Sequence, residues 1–284
     1  MDLLLAALRA STIIQSLQIR HPSEIDIKEI SMDRDAYVRE RDIAGAEAWM
    51  VRKDNLAIIT VSSRLHEQGR KNFAIAHELG HFELHSDSQL LICSDEDMYV
   101  WNKIKSQEIE ANEFASSILM PEEIFSPYIK KEIPNMDRVS ELSGEFGTTL
   151  TATSIRYAQL SQEPCAVAVS RNSTLKWYKK SDSFGHHLKV GETLSQDTYA
   201  FDFYDGIELP VKPRKVPANA WIAGDIDSDG EIIEHSIALK SYGVVLSLLS
   251  IDKEIRYRFQ KRDDEEPEFD LTDKFTPDGK RWQW

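Results

Sequence analysis

Two histidines four residues apart sit in a stretch that is otherwise largely apolar: Phe73-Ala-Ile-Ala-His77-Glu78-Leu-Gly-His81-Phe-Glu-Leu-His85. At 3.6 residues per turn, positions four apart share one helix face, so both imidazoles can reach one metal ion. Glu78 lies about 100° further round, too far for a natural ligand but placed to address a water on that metal. H-E-x-x-H carries this division of labour in zinc hydrolases, with two His ligands and a Glu as general base. Phe73, Ala74, Ile75, Ala76 and Leu79 mark the helix as buried. Unpartnered polar groups in such a place cost roughly 1–3 kcal/mol each, and a metal would satisfy all three. The competing reading is the polar face of an amphipathic helix.

A second helix is predicted downstream, where Ala111, Phe114, Ala115, Ile118 and Leu119 form one apolar face closed by Pro121. Glu110 falls on or beside that face, and a carboxylate there needs a positive partner. Zinc would be one, and two His plus one Glu is an established catalytic set. Glu108 and Glu113 are expected on more exposed faces and are the weaker candidates.

Taken together, the His77-to-His85 stretch and Glu110-Ala-Asn112-x-Phe114-Ala115-x-x-Ile-Leu-Met120-Pro121 resemble the ImmA/IrrE-type metallopeptidases over roughly residues 50–125. The resemblance implies a small zincin-like domain. It implies His77 and His81 as ligands, Glu110 of the E-A-N element as the third, and Glu78 as catalytic base. Read from the sequence itself, His85 caps the helix end or bonds a carboxylate rather than binding the metal, because His at i, i+4 and i+8 drift round the helix, and His85 and Asn112 are the candidates for residues behind the ligands. The resemblance also implies a bacterial or phage regulatory protease that cuts a helix-turn-helix repressor or an antitoxin. Many such proteins carry a DNA-binding domain ahead of the peptidase, and none is read here.

The chain has 284 residues, 41 % of them hydrophobic, enough for one large or two to three small domains. Residues 2–19 have helical spacing, with Asp2 and no basic region to suggest a signal peptide. Ile25–Ile30, Ala46–Lys53 and Leu56–Val61 read as strands, the last two joined by a turn at Lys53-Asp54-Asn55. Residues 86–107 read as a surface loop with acids at Asp95-Glu96-Asp97 and aromatics at Tyr99 and Trp101. Residues 137–160 read as helix, Gly-containing turn and helix. With Arg138 and Arg156 against Asp137, Glu141 and Glu145, this pair is read as structural rather than DNA-binding.

Strand rhythm begins at Pro164: Cys165–Ser170, Thr174–Tyr178, Leu188–Glu192, Trp221–Ala223, Glu231–Leu239, Tyr242–Leu249 and Ile255–Phe259. Longer members of the family resembled carry a GAF-like sensor there. The expected class is therefore α+β in three parts: a zincin-like peptidase domain at 1–125, a helix-turn-helix-like segment at 126–162, and a β-rich sensor or docking domain at 163–284 that ends in a charged tail with Trp282 and Trp284.

A net charge of −14 disfavours nucleic-acid binding, which depends on Lys and Arg neutralising phosphates. Cys93 and Cys165, with no C-x-x-C, fit a reducing compartment. No apolar run approaches the ~18–20 residues of a membrane span, so a cytoplasmic protein is expected. Cys93 as a zinc thiolate is disfavoured, and His186, His187 and His235 are read as structural or surface residues. Asp225-x-Asp227-x-Asp229-Gly230 has a calcium-loop flavour, but Ser236 stands where that loop needs Glu, and a turn is the better reading. The function expected is a zinc-dependent endopeptidase, with manganese as an alternative metal, that cleaves one regulatory protein. The alternative is a catalytically silent, metal-bound interaction module.

Overall fold

The computed structural model describes residues 3–85, 90–93, 106–129, 133–224 and 230–251. The acids and aromatics of 95–101, the calcium-like turn at 225–229, the strand expected at 255–259 and the tail lie outside them. The chain divides into two units, one of Met1–Ile129 with Ser140–Arg156, the other of Lys130–Val139 with Tyr157–Trp284. Two of the three divisions, after Val139 and after Arg156, fall inside the two helices of the expected helix-turn-helix segment. Both units mix helix and sheet, and the protein is α+β.

The first unit opens with α1 (Leu3–Ser16), which buries Ala6, Ala10, Ile13 and Ile14. Where the alternation at Ile25–Ile30 predicts a strand, the chain forms α2 (Ile27–Asp33). Two physical signals outweigh the imperfect alternation. Asp26 caps the helix, its carboxylate accepting from the Lys28 and Glu29 amides, and Ile27 and Ile30 share one buried face.

Strands β1 (Ala36–Arg41), β2 (Ala48–Lys53), β3 (Leu56–Ser62) and β4 (Leu90–Cys93) make a sheet of order β1-β3-β2-β4. The β1–β3 pair is parallel and the others are antiparallel. Alternate residues Ala57, Ile59 and Val61 are buried, the last two opposite Met50 and Ala48, while Leu56 and Ile58 on the other face are exposed. β4 falls inside the segment read as loop.

Against β2 and β3 packs α3 (Gln68–Leu84), and α4 (Ser106–Leu119) packs on both α3 and α1. Gly80 allows the close crossing of α3 and α4. A Cβ there would stand 3.1 Å from the Cα and carbonyl oxygen of Ala111 and 3.1 Å from Phe114. Glu83, on α3, ties the helices at its end: its buried carboxylate accepts from Arg9 Nε at 2.7 Å and Arg34 Nε at 2.8 Å. After Pro121 comes α5 (Glu122–Phe125), and then α6 (Met136–Glu145) and α7 (Leu150–Leu160), as the spacing predicted. The turn between them sits on the start of α3, where Asn72 Nδ2 donates to the Gly147 carbonyl at 2.9 Å.

The second unit is built on an antiparallel sheet of order β6-β5-β9-β8-β7. Its strands are β5 (Cys165–Arg171), β6 (Thr174–Lys180), β7 (Arg214–Pro217), β8 (Glu231–Leu239) and β9 (Val244–Ser250). The segments expected as strands at 188–192 and 221–223 meet only through an isolated bridge, Leu188 to Ile222. Leu188, Trp221 and Ile222 are core residues, so their apolar pattern reports burial without a ladder. Helix α8 (Tyr199–Tyr204) is held at its start by the buried Glu234 carboxylate, which accepts from the Ala200 amide at 2.7 Å and Trp221 Nε1 at 2.9 Å. His235 has a structural bond, its Nδ1 accepting from the Met136 amide at 3.0 Å.

Candidate metal centre

Helix α3 presents His77 and His81 on one face with Glu78 further round the same helix, and all three are buried. The two Nε2 atoms stand 3.1 Å apart. A carboxylate oxygen of Glu108, from α4, lies 3.2 Å from His77 Nε2 and 3.4 Å from His81 Nε2. Among the described residues these three form the group able to hold a metal.

The outer nitrogens are engaged as well. His77 Nδ1 lies 2.9 Å from Asn112 Oδ1, which can only accept, so Nδ1 carries a proton and, in the neutral ring, Nε2 is the nitrogen left with a lone pair facing inward. His81 Nδ1 is 3.0 Å from His85 Nδ1, and His85 Nε2 is 3.0 Å from Glu110 Oε2.

These contacts allow a test of whether the residues suit a metal. Two ligands at about 2.05 Å from a tetrahedral ion stand roughly 3.3 Å apart. The three edges of this triangle, at 3.1, 3.2 and 3.4 Å, match that spacing. Two inward lone pairs and a carboxylate are also mutually repulsive unless a cation lies among them, and a single proton bridges only one pair at a time. The donor set of two imidazoles and one carboxylate fits a zinc-type ion.

The acid–base balance agrees with this crowding. Burial opposes the charged form of His77, but the hydrogen bond to Glu108 and the charges of Glu78 and Glu108 outweigh it and raise its pKa. For His81 burial wins over Glu108 and the pKa is lowered. Burial pushes Glu108 upward, yet hydrogen bonds from both histidines bring it well below the usual carboxylate range.

Of the residues singled out in the sequence, His77, Glu78, His81, His85 and Asn112 gather here. Glu110 is brought to His85 instead of to the metal-binding group, and Glu108 takes the position expected for it. Helix geometry explains the exchange. With Ala111 as the centre of the contact with Gly80, Glu108 and Asn112 lie about 60° and 100° to one side, and Glu110 about 100° to the other. The available signal was the i, i+4 pair Glu108 and Asn112, one residue for the ion and one for a ligand's back. Glu113 accepts from Ser117 Oγ at 3.2 Å and lies 3.7 Å from Arg156. Cys93 is a backbone position of β4 whose side chain lies outside the described residues. Cys165 is buried, which pushes its thiol up to about 11 and removes it as a thiolate.

Residues 32–157 match the family model described as "Peptidase_M78: IrrE N-terminal-like domain". A curated relative, the "Uncharacterized immunity region protein 2" of Bacillus phage phi105, is 29 % identical over 86 residues, 30 % of this chain and 51 % of its own. The chain thus spans about half the length of that relative. Among solved structures, a Mycobacterium tuberculosis transcriptional regulator is similar with a TM-score of 0.53 and 14 % identity, over 86 % of this chain and 75 % of that one. At this identity the likeness is one of fold.

Proposed function

We propose that this chain, whose residues 32–157 match the model of IrrE N-terminal-like peptidase domains, is a zinc-dependent endopeptidase of that type acting on a regulatory protein. The ligands are His77, His81 and Glu108, the last in place of the Glu110 that the E-A-N element suggested. The observation that carries this reading is the triangle of donor atoms with edges of 3.1, 3.2 and 3.4 Å. A bound zinc or manganese ion supplies a Lewis acid for the scissile carbonyl and lowers the pKa of water toward about 7.

The chain's own residues do the rest. Asn112 holds His77 in the tautomer that leaves Nε2 for the ion. Glu78 accepts the proton of the attacking water and returns it to the leaving amine. Its burial on α3 beside His77 keeps the carboxylate in a low-dielectric setting, where proton transfer is little screened by water.

The substrate is read as a helix-turn-helix repressor or an antitoxin. Support comes from the relative's name as an immunity region protein and from the net charge of −14, which suits a basic, DNA-binding partner better than DNA itself. The β-rich region from residue 163 onward is assigned sensing or docking. A cytoplasmic setting is in keeping with the two cysteines, and no helix among the described residues is long and apolar enough to cross a membrane.

Glu78→Gln tests the activity. The amide keeps the size and both histidines, so zinc stays bound, while loss of a general base lowers cleavage by about 10²–10⁴-fold. Purified parent and variant are incubated with zinc and the repressor encoded beside the protein, and fragments are counted over time. Equal cleavage by Glu78→Gln would dismiss Glu78 as the base. An unchanged regulatory output in cells would favour the silent interaction module, which His77→Ala would still disable.

A further inference from the structure

We propose that Glu110 and His85 are positioning residues that set the metal affinity of His81 through a directed chain of hydrogen bonds. This rests on the metal-site reading above. The chain runs Glu110 Oε2, His85 Nε2, His85 Nδ1, His81 Nδ1, with both links at 3.0 Å. The side chain of His81 is fully buried, that of His85 is 6 % exposed, and that of Glu110 reaches the surface at 19 %.

The direction of every bond follows from its outer end. A carboxylate only accepts, so His85 carries its proton on Nε2 and donates it to Glu110. In the neutral ring its Nδ1 is then a lone pair, which leaves the bond to His81 to be made by a proton on His81 Nδ1. His81 Nε2 is thereby left bare, aimed at His77 Nε2 and Glu108. With the chain reversed, the proton of His81 would sit on Nε2, where the ion must bind. A negative charge at the outer end also makes His81 a stronger donor to the metal, as carboxylates behind ligating histidines do. His77 is locked separately, by Asn112, so each histidine has its own support.

The arrangement accounts for His85 lying just beyond the last turn of α3, four residues after His81, and for a carboxylate on the far side of the α4 contact from Glu108. A caps-only role for His85 would not require the Glu110 contact.

The test is zinc affinity by chelator competition on the full chain, with unfolding of the metal-free proteins measured alongside. The variants are Glu110→Ala, Glu110→Gln, His85→Phe, Asn112→Ala, and the pairs Glu110→Ala/His85→Phe and Glu110→Ala/Asn112→Ala. The expected losses in affinity are about 10–100-fold for Glu110→Ala and for His85→Phe. Glu110→Gln loses less, because its carbonyl oxygen still accepts. Glu110→Ala/His85→Phe is no weaker than His85→Phe alone, since one chain cannot be cut twice, whereas Glu110→Ala and Asn112→Ala multiply. Unchanged affinity in Glu110→Ala, or losses that multiply in the Glu110→Ala/His85→Phe pair, would overturn the proposal. Should His85→Phe fail to fold, the order parent, Glu110→Gln, Glu110→Ala decides it. No zinc binding by the parent would refute the metal site itself, a separate result.

Discussion

Gly80→Ala should loosen the metal site without touching a single ligand. The new Cβ would stand 3.1 Å from the Cα and carbonyl of Ala111 and 3.1 Å from Phe114. Ordinary contacts begin a few tenths of an ångström further out, so α4 must retreat or twist. Overpacking of this kind costs about 1–3 kcal/mol. Against it stands the helix preference of Ala over Gly, worth about 1 kcal/mol. The net effect lies between neutral and about 2 kcal/mol destabilising. Gly144→Ala is the matched control, since it sits in α6 and its Cβ would meet nothing within 4 Å. That change should stabilise by about 0.4–1 kcal/mol. Two helical glycines given the same substitution are thus expected to move apart by about 1–3 kcal/mol, or roughly 2–4 °C in Tm per kcal/mol. Glu108 lies one turn along α4 from Ala111, and metal sites tolerate errors of only about 0.2 Å. Zinc affinity should therefore fall on the order of tenfold in Gly80→Ala and stay at the parent value in Gly144→Ala. Thermal unfolding of the metal-free proteins and chelator competition read the two effects. If Gly80→Ala gains as much stability as Gly144→Ala and binds zinc like the parent, the close crossing is not what sets the Glu108 position.

Three further outcomes are expected. Glu108→Gln should weaken zinc more than Glu110→Gln does, because it removes a ligand rather than a support; the opposite order in a titration would reinstate Glu110 as the ligand. In the metal-free fold His77 binds its proton more tightly than a free imidazole, whose pKa is about 6.5. That proton stabilises the metal-free protein below about pH 6.5, and the contribution is lost as pH rises through the higher folded pKa, while zinc, which must displace it, binds better with each step upward. An affinity that is flat from about pH 6 to about pH 8 would contradict this. Gly69→Ala would bring a Cβ to 2.6 Å from the Thr148 carbonyl carbon and 2.8 Å from the Thr149 nitrogen, all of it backbone. A loss of about 3 kcal/mol or more in unfolding free energy is expected, and a near-neutral result would show that the α6–α7 turn can move off α3.

How much of the fold the residues disclosed depends on whether the deciding force was local. The α6–α7 pair, the β2–β3 hairpin and the β5–β6 hairpin carry their own turn chemistry, and the strands and helices fall where periodicity put them. The strand expected at 25–30 failed because a short capped helix and an irregular strand share the same isoleucine spacing, and only Asp26 separates them. β1 was missed because its residues Tyr37, Arg39, Glu40 and Arg41 are exposed on an edge and show little alternation. Leu188, Trp221 and Ile222 misled in the other direction, being buried from irregular backbone.

The site shows the same divide within one motif. His77 and His81 are legible because both lie on one helix and four residues fix their relation. Glu108 and Glu110 sit on a second helix, and nothing in its periodicity says which side faces the first. Both are acidic and both flank the apolar stripe, so ranking them by burial alone favoured Glu110. What separates them is the line along which α3 and α4 touch, marked by the close approach of Gly80 to Ala111. Once that line is drawn, Glu108 and Asn112 fall on the side of the two Nε2 atoms and Glu110 falls on the side of His85. Gly69 on α3 and Ala115 on α4 are as small as Gly80 and Ala111, so residue size alone does not locate the crossing in the sequence. The packing of the two helices does, and it puts Glu108 beside His77 and His81 and Glu110 beside His85.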